Sequence, residues 1–187
     1  MRPTVLILAA ATTSVVLMLV FRLIGPSHLA WLTGDQPPDY PVAAELDLIA
    51  LDGESLSSAH HRGQILVLDF WATWCGPCIA EIAGYNALQQ DYAHRGVRLA
   101  GVALRSGTAE DLRDFASAYG IEYPLAVGSD QVWRRFGPTW GLPTTLIIDR
   151  KWRLRRVWTG AGGRKMEQIR ATLELLVDEG VHPGKPW

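Results

Sequence analysis

Asp69-Phe70-Trp71-Ala72-Thr73-Trp74-Cys75-Gly76-Pro77-Cys78 joins two different periodicities, and the junction decides the fold. Upstream, Ile65-Leu66-Val67-Leu68-Asp69-Phe70 is an apolar run interrupted by a single acid, the pattern of a central strand buried on both faces. Downstream, Ile79, Ile82, Ala83, Leu88 and Tyr92 return at helical spacing. That segment stops at His94-Arg95-Gly96, with basic groups in the last turn and a glycine just past it. The sequence predicts strand, sharp turn and helix, with both cysteines of the chain at the turn.

Such a turn suits thiol–disulfide exchange. The attacking species is a thiolate, and the unpaired N–H groups and positive dipole end of a helix stabilise one, lowering a thiol from its free pKa of about 8.5. The second thiol, on the first helical turn, reaches back to close the disulfide Cys75-Cys78. Cys75 is read as the nucleophile and Cys78 as the resolving thiol. Other readings of the pair fit less well. Half a zinc site needs two more ligands, and His28, His60, His61, His94 and His182 show no ligand spacing and follow no second cysteine pair. No metal ligand is assigned. A copper-transfer pair needs neither a proline between its cysteines nor an aromatic-rich strand before them, and a purely structural bridge over so small a loop restrains the unfolded chain little.

Working outward, Leu46, Leu48, Leu51 and Leu56 around Asp52-Gly53 predict a small β-hairpin with the Asp-Gly pair as its turn. After the central helix, strands are predicted at Val97 to Leu104, near Leu125-Ala126-Val127, from Thr144 to Asp149 and from Leu154 to Trp158. Helices are predicted from a Thr108 cap to Gly120, from Asp130 to Phe136 and from Lys165 to Val177, the first with Leu112, Phe115, Ala116 and Tyr119 facing the core. Strands alternating with helices give an α/β architecture, a central mixed β-sheet flanked by helices.

The start of the chain is different. No ionisable residue occurs between Arg2 and Arg22, and the apolar run through Val15-Val16-Leu17-Met18-Leu19-Val20-Phe21 is long enough for a transmembrane helix, which takes roughly 20 residues. A cleaved signal peptide is the rival reading; its apolar core is shorter, and Gly25-Pro26-Ser27-His28-Leu29-Ala30 makes a poor cleavage site. The expected organisation is a membrane anchor over 1–24, a turn-rich linker over 25–41, the globular domain over 42–180 and a tail over 181–187. Arg2 faces only Arg22 across the apolar run, so charge sets the orientation weakly. With 187 residues, 48% hydrophobic and net charge −1, the chain carries one core and no basic excess for nucleic acid.

The Asp69 to Cys78 stretch resembles the active-site segment of thioredoxins. From roughly Val42 to Val177 the chain is similar to the membrane-anchored TlpA/ResA-like group of that superfamily, through the hairpin, the Arg62-Gly63-Gln64 lead-in and Gly141-Leu142-Pro143-Thr144-Thr145. The resemblance implies a thioredoxin fold with an N-terminal β-hairpin extension. It implies a thiol–disulfide oxidoreductase without a cofactor, acting as a reductant of disulfide-containing client proteins such as apocytochrome c. Electrons would come from a membrane thiol–disulfide donor, and a single-pass anchor in the inner (cytoplasmic) membrane would hold the domain on the periplasmic, extracytoplasmic side.

Site residues follow from the same resemblance. Pro143, which the residues alone leave as cis or trans, becomes a cis-proline beside the disulfide, with the Leu142 backbone free for an extended client. Trp74, Gly76 and Pro77 border the thiols as further client contacts, and Trp71 packs beneath. Asp69, costly to bury as an anion, becomes a proton acceptor for Cys78, although a carboxylate satisfied by nearby backbone fits the residues too. Many of the anchored group carry an amide there, so Asp69 leans towards thioredoxin itself. Glu81, three positions after Cys78, tunes the thiols, contacts a partner or is merely solvated. Ala83 stands where the group often has a helix-kinking proline. The competing functions are a disulfide oxidant or isomerase and a non-enzymatic thioredoxin-like binding module. A peroxidase would need a threonine and arginine pocket, which the sequence does not reveal.

Overall fold

Residues 41–136 and 141–179 are described by the computed structural model. The expected anchor (1–24), the linker up to residue 40 and the tail (181–187) lie outside the described residues. Among the described residues no helix is long and apolar enough to cross a membrane. The leucines around Asp52-Gly53 form the expected hairpin: β1 (Asp47–Ile49) pairs antiparallel with β2 (Ser55–Ser57), Leu48 opposite Leu56. Its loop is longer than the Asp-Gly pair. The Ala50 N–H donates to the Glu54 carbonyl and the Gly53 N–H to the Ala50 carbonyl, with Gly53 at φ +90°.

A single helical turn, α1 (Ser58–His61), follows, capped by the Ser57 hydroxyl. It is too short to show a period and was not expected. At its end His61 is buried, bonds Gln64 at 3.2 Å and has its pKa lowered by burial, while His60 beside it is exposed.

The apolar run becomes β3 (Ile65–Trp71), buried at every position. Next come α2 (Gly76–Tyr92), a 3-10 turn at Ala93–Arg95, and Gly96 at φ +75°. With Ala83 supplying the N–H that a proline would lack, α2 runs unbroken. Then follow β4 (Val97–Leu104), α3 (Ala109–Tyr119), β5 (Leu125–Gly128), α4 (Asp130–Phe136), β6 (Thr144–Ile148), β7 (Leu154–Thr159) and α5 (Lys165–Glu179). A reciprocal Thr108/Asp111 box caps α3. Leu112 carries its buried contact, whereas Tyr119, expected in the core, is half-exposed and stacks on Phe115 at 4.2 Å.

The larger sheet has the order β5-β4-β3-β6-β7, with β3, β4 and β5 parallel and β6 and β7 antiparallel to their neighbours. Because β3 is buried on both faces, its side chains feed two core layers. Leu66, Leu68 and Phe70 pack with Leu56 of the hairpin and Phe136 of α4. Ile65, Val67 and Trp71 pack with Tyr85 and Leu88 of α2, Ile169 and Leu173 of α5, and both cysteines. Alternation puts Asp69 on the second face, beneath the redox pair.

Candidate active site

The turn after β3 brings Cys75 to the N-cap of α2. Its backbone is extended there, and its Sγ accepts a hydrogen bond from the Cys78 N–H at 3.3 Å, so the sulfur sits where the unpaired amides of the first turn point. Pro77 fits the first turn because no helical N–H is lost at that position. Cys75 and Cys78 are joined in a disulfide with an S–S distance of 2.05 Å.

A second loop braces this turn. The Thr73 N–H donates to Ser106 Oγ at 3.0 Å, Ser106 Oγ donates to the Leu104 carbonyl, and the Trp74 indole N–H donates to the Arg105 carbonyl at 3.0 Å. Trp74 is nonetheless 62% exposed, a flat apolar surface beside the disulfide. Gly76 and Pro77 are exposed as well, and nothing lies within 4 Å of the position a Gly76 side chain would take.

Across the sheet, Phe70 pairs with Thr144, which puts Pro143 at the same end as the turn. The Leu142-Pro143 peptide is cis. Pro143 is buried, its carbonyl accepting from the Gly160 N–H at 2.7 Å, and Leu142 packs against both core layers.

Beneath the disulfide lies a buried polar cluster. Asp69 is 3% exposed and sits between Gly101 of β4 and Thr145 of β6. Its Oδ1 accepts from Thr145 Oγ1 at 2.8 Å and Tyr85 Oη at 3.0 Å, and the two hydroxyls lie 2.5 Å apart. Burial raises its pKa to about 7 against the opposing pull of Lys165 and of the two hydroxyls. Tyr85 and Tyr123 are likewise pushed up by burial, with the Asp69 charge adding to it. Glu81 is not solvated. Its Oε2 pairs with Lys165 Nζ at 2.7 Å, and Lys165, at the first position of α5, is itself 3% exposed. Among the described residues no group of three or more His, Cys, Asp or Glu is placed to hold a metal ion.

With this geometry the chain can be set beside known proteins. A match to the AhpC/TSA family spans residues 33–157. The chain belongs to that family. A thioredoxin-like protein, YneN, of Bacillus subtilis is 33% identical over 140 residues, covering 72% of this chain and 76% of the relative. The thiol-disulfide oxidoreductase ResA of Geobacillus thermodenitrificans is 31% identical over 136 residues, covering 72% and 75%. In structure, the thiol:disulfide interchange protein of Chlorobium tepidum matches with a TM-score of 0.65 at 25% identity, over 76% of this chain and 99% of that one. The fold is the thioredoxin fold. With a Cys-Gly-Pro-Cys pair on the exchange turn, this AhpC/TSA member is a thiol–disulfide oxidoreductase of the ResA type.

The residues singled out in the sequence fall into two groups in this oxidoreductase. Trp74, Cys75, Gly76, Pro77 and Cys78 lie on the turn, with Leu142 and Pro143 at the same end of the sheet. Asp69 and Glu81 belong to the cluster beneath. Sequence reading missed Tyr85, Thr145, Lys165 and the bracing Ser106. Tyr85 sat within a helical stripe and Thr145 at the head of a strand, where each reads as packing, and Lys165 stands 84 positions from its partner Glu81.

Proposed function

We propose that the chain is a membrane-tethered protein-disulfide reductase, working on the extracytoplasmic side of the cytoplasmic membrane through Cys75 and Cys78. The observation that carries the exchange chemistry is the placement of Cys75 Sγ at the N-cap of α2, within reach of the Cys78 N–H at 3.3 Å. There the helix terminus favours the thiolate. The Cys75 thiolate attacks one sulfur of a client disulfide; that bond breaks, and the other client sulfur leaves as a thiolate and takes up a proton. Cys78 then passes its proton to Asp69, directly or through water, and attacks Cys75 Sγ. The bond to the client breaks, its second sulfur leaves, and Cys75-Cys78 closes. Two electrons have moved to the client.

Trp74, Gly76 and Pro77 form the approach surface for that client, and the Leu142 backbone beside Pro143 pairs with its extended segment. Glu81 acts through the electrostatics of the buried cluster. The direction rests on the Gly-Pro dipeptide, shared with thioredoxin, whose potential of about −270 mV is reducing where oxidant relatives lie near −120 mV. The apolar run up to Phe21 supports the tether. The likeness to the anchored group supports apocytochrome c as the class of client and a membrane-embedded thiol protein as donor.

The test is reduction of insulin disulfides by the full-length protein in mild detergent, alongside peroxide consumption and equilibration with glutathione. Insulin reduction well above the dithiothreitol background and a potential close to thioredoxin's are expected. Peroxide turnover without disulfide reduction would overturn the reading, and a potential near −120 mV would reverse its direction. A Cys78→Ala trap in cells identifies the client.

A further inference from the structure

Lys165 is out of place for a solvent-seeking side chain. Its ammonium lies in the interior at the start of α5, with Glu81 Oε2 at 2.7 Å and the Tyr85 ring centroid at 5.8 Å. Tyr85 in turn donates to Asp69. Three elements therefore contribute one charged or chargeable group each to a single buried cluster: Asp69 from β3, Glu81 from α2 and Lys165 from α5. Tyr85 and Tyr123 complete the titratable groups around Asp69, and the redox pair lies in the same core layer. Lys165 is paired with the Glu81 carboxylate, and its charge also pulls on Asp69. A buried ammonium must be paired, and Glu81 is its close partner.

We propose that Lys165 is a positioning residue of the redox centre: by holding Glu81 in an ion pair it reserves proton exchange with Cys78 for Asp69 and sets the pH at which that exchange runs. The inference rests on the assignment of Asp69 as proton acceptor. Lys165 touches neither client nor sulfur; it acts through its charge on both carboxyls. Lys165 favours the Asp69 carboxylate and Glu81 opposes it, so loss of either should move the Asp69 equilibrium, in opposite directions. A lysine needed only for packing gives no such signed pair of shifts.

The experiment mixes reduced full-length protein in detergent with a coloured bis(nitrobenzoate) disulfide in a stopped-flow instrument, from acid to alkaline pH. The first thiolate released reports attack by Cys75; the second reports resolution by Cys78, which closes the disulfide. Lys165→Met should leave the first phase alone and shift the midpoint of the second by about one unit or more towards alkaline pH, slowing it about tenfold near neutrality. Lys165→Arg should restore the profile. Glu81→Gln should shift it towards acid pH, and it serves if Lys165→Met does not fold. Unshifted second-phase midpoints in both variants would overturn the proposal. Asp69→Asn separates the two levels of failure. If that variant keeps the wild-type profile, the acceptor assignment falls and the proposal with it; if it abolishes the profile while Lys165→Met and Glu81→Gln do not shift it, only the role of Lys165 falls.

Discussion

Thr145 Oγ1 donates to Asp69 Oδ1 across 2.8 Å, from the strand that pairs antiparallel with β3. The acid is therefore neither a bare charge in the core nor a residue satisfied by backbone alone. Hydroxyls of Thr145 and Tyr85 hold it, yet burial outweighs them and raises its pKa to about 7. Such a group is stably fixed in position and gains or loses a proton near neutrality, which is what a relay to Cys78 requires.

Replacing Asp69 by Asn should stabilise the oxidised protein in a pH-dependent way. The folded pKa of about 7 lies well above the ordinary aspartate value of about 3.9, so wild type has no ionisation penalty at acid pH. The penalty builds as pH rises past the unfolded value and levels off above the folded one. Over that window the variant should gain up to roughly 4 kcal/mol relative to wild type, at about 1.36 kcal/mol per unit of pKa. Denaturant unfolding from acid to alkaline pH measures it, and a difference independent of pH would sink the assignment of Asp69 as a raised acid.

Tyr85→Phe removes one donor from Asp69 Oδ1 and the contact with Thr145. The lost hydroxyl favoured the carboxylate, so the Asp69 titration should move further upward, by a readable fraction of a unit, and resolution by Cys78 should need higher pH. Carbon NMR titration of the Asp69 carboxyl in wild type and variant tests this. A downward shift would mean that the hydroxyl serves the protonated acid instead.

Strand, turn and helix were legible around the motif because the period changes there from a buried run to a helical stripe, and because both cysteines stand at the change. Thr108 and Gly120 marked helix ends through capping chemistry that acts within a few residues. The one-turn α1 had no period to show. The polar cluster was half legible: Asp69 broke an apolar run and stood out, while Lys165 reads as an ordinary exposed first residue of an amphipathic helix. Only the packing of α5 against α2 turns it into the partner of Glu81, and no local pattern encodes a meeting between residues so far apart.

Two glycines should respond differently to alanine. A Cβ on Gly101, opposite Asp69 on β4, would lie 2.6 Å from Leu125 Cδ2 and 2.9 Å from Trp71 Nε1. Overpacking there should destabilise the domain by roughly 1–3 kcal/mol. Gly76, between the cysteines, meets nothing within 4 Å, so Gly76→Ala should fold as wild type. Thermal unfolding of both variants checks the contrast, and equal losses would contradict the open approach to the disulfide.

The sharpest chemical prediction concerns the inequality of the two cysteines. Cys75 caps α2, and its sulfur accepts an amide of the first turn, whereas Cys78 lies inside that turn. In the reduced protein the capping sulfur gains the unpaired N–H groups and the dipole, so at mildly acidic pH iodoacetamide should label Cys75 many times faster than Cys78. Cys75→Ser should then abolish disulfide reduction. Cys78→Ser should still attack, but it should stop at the mixed disulfide with a single thiolate released per chain, because no second sulfur remains to displace the client. Mass spectrometry of the trapped species reads the outcome directly. Faster labelling of Cys78, or a stable mixed disulfide formed by the Cys75→Ser variant, would exchange the two roles and detach Asp69 from the resolving step.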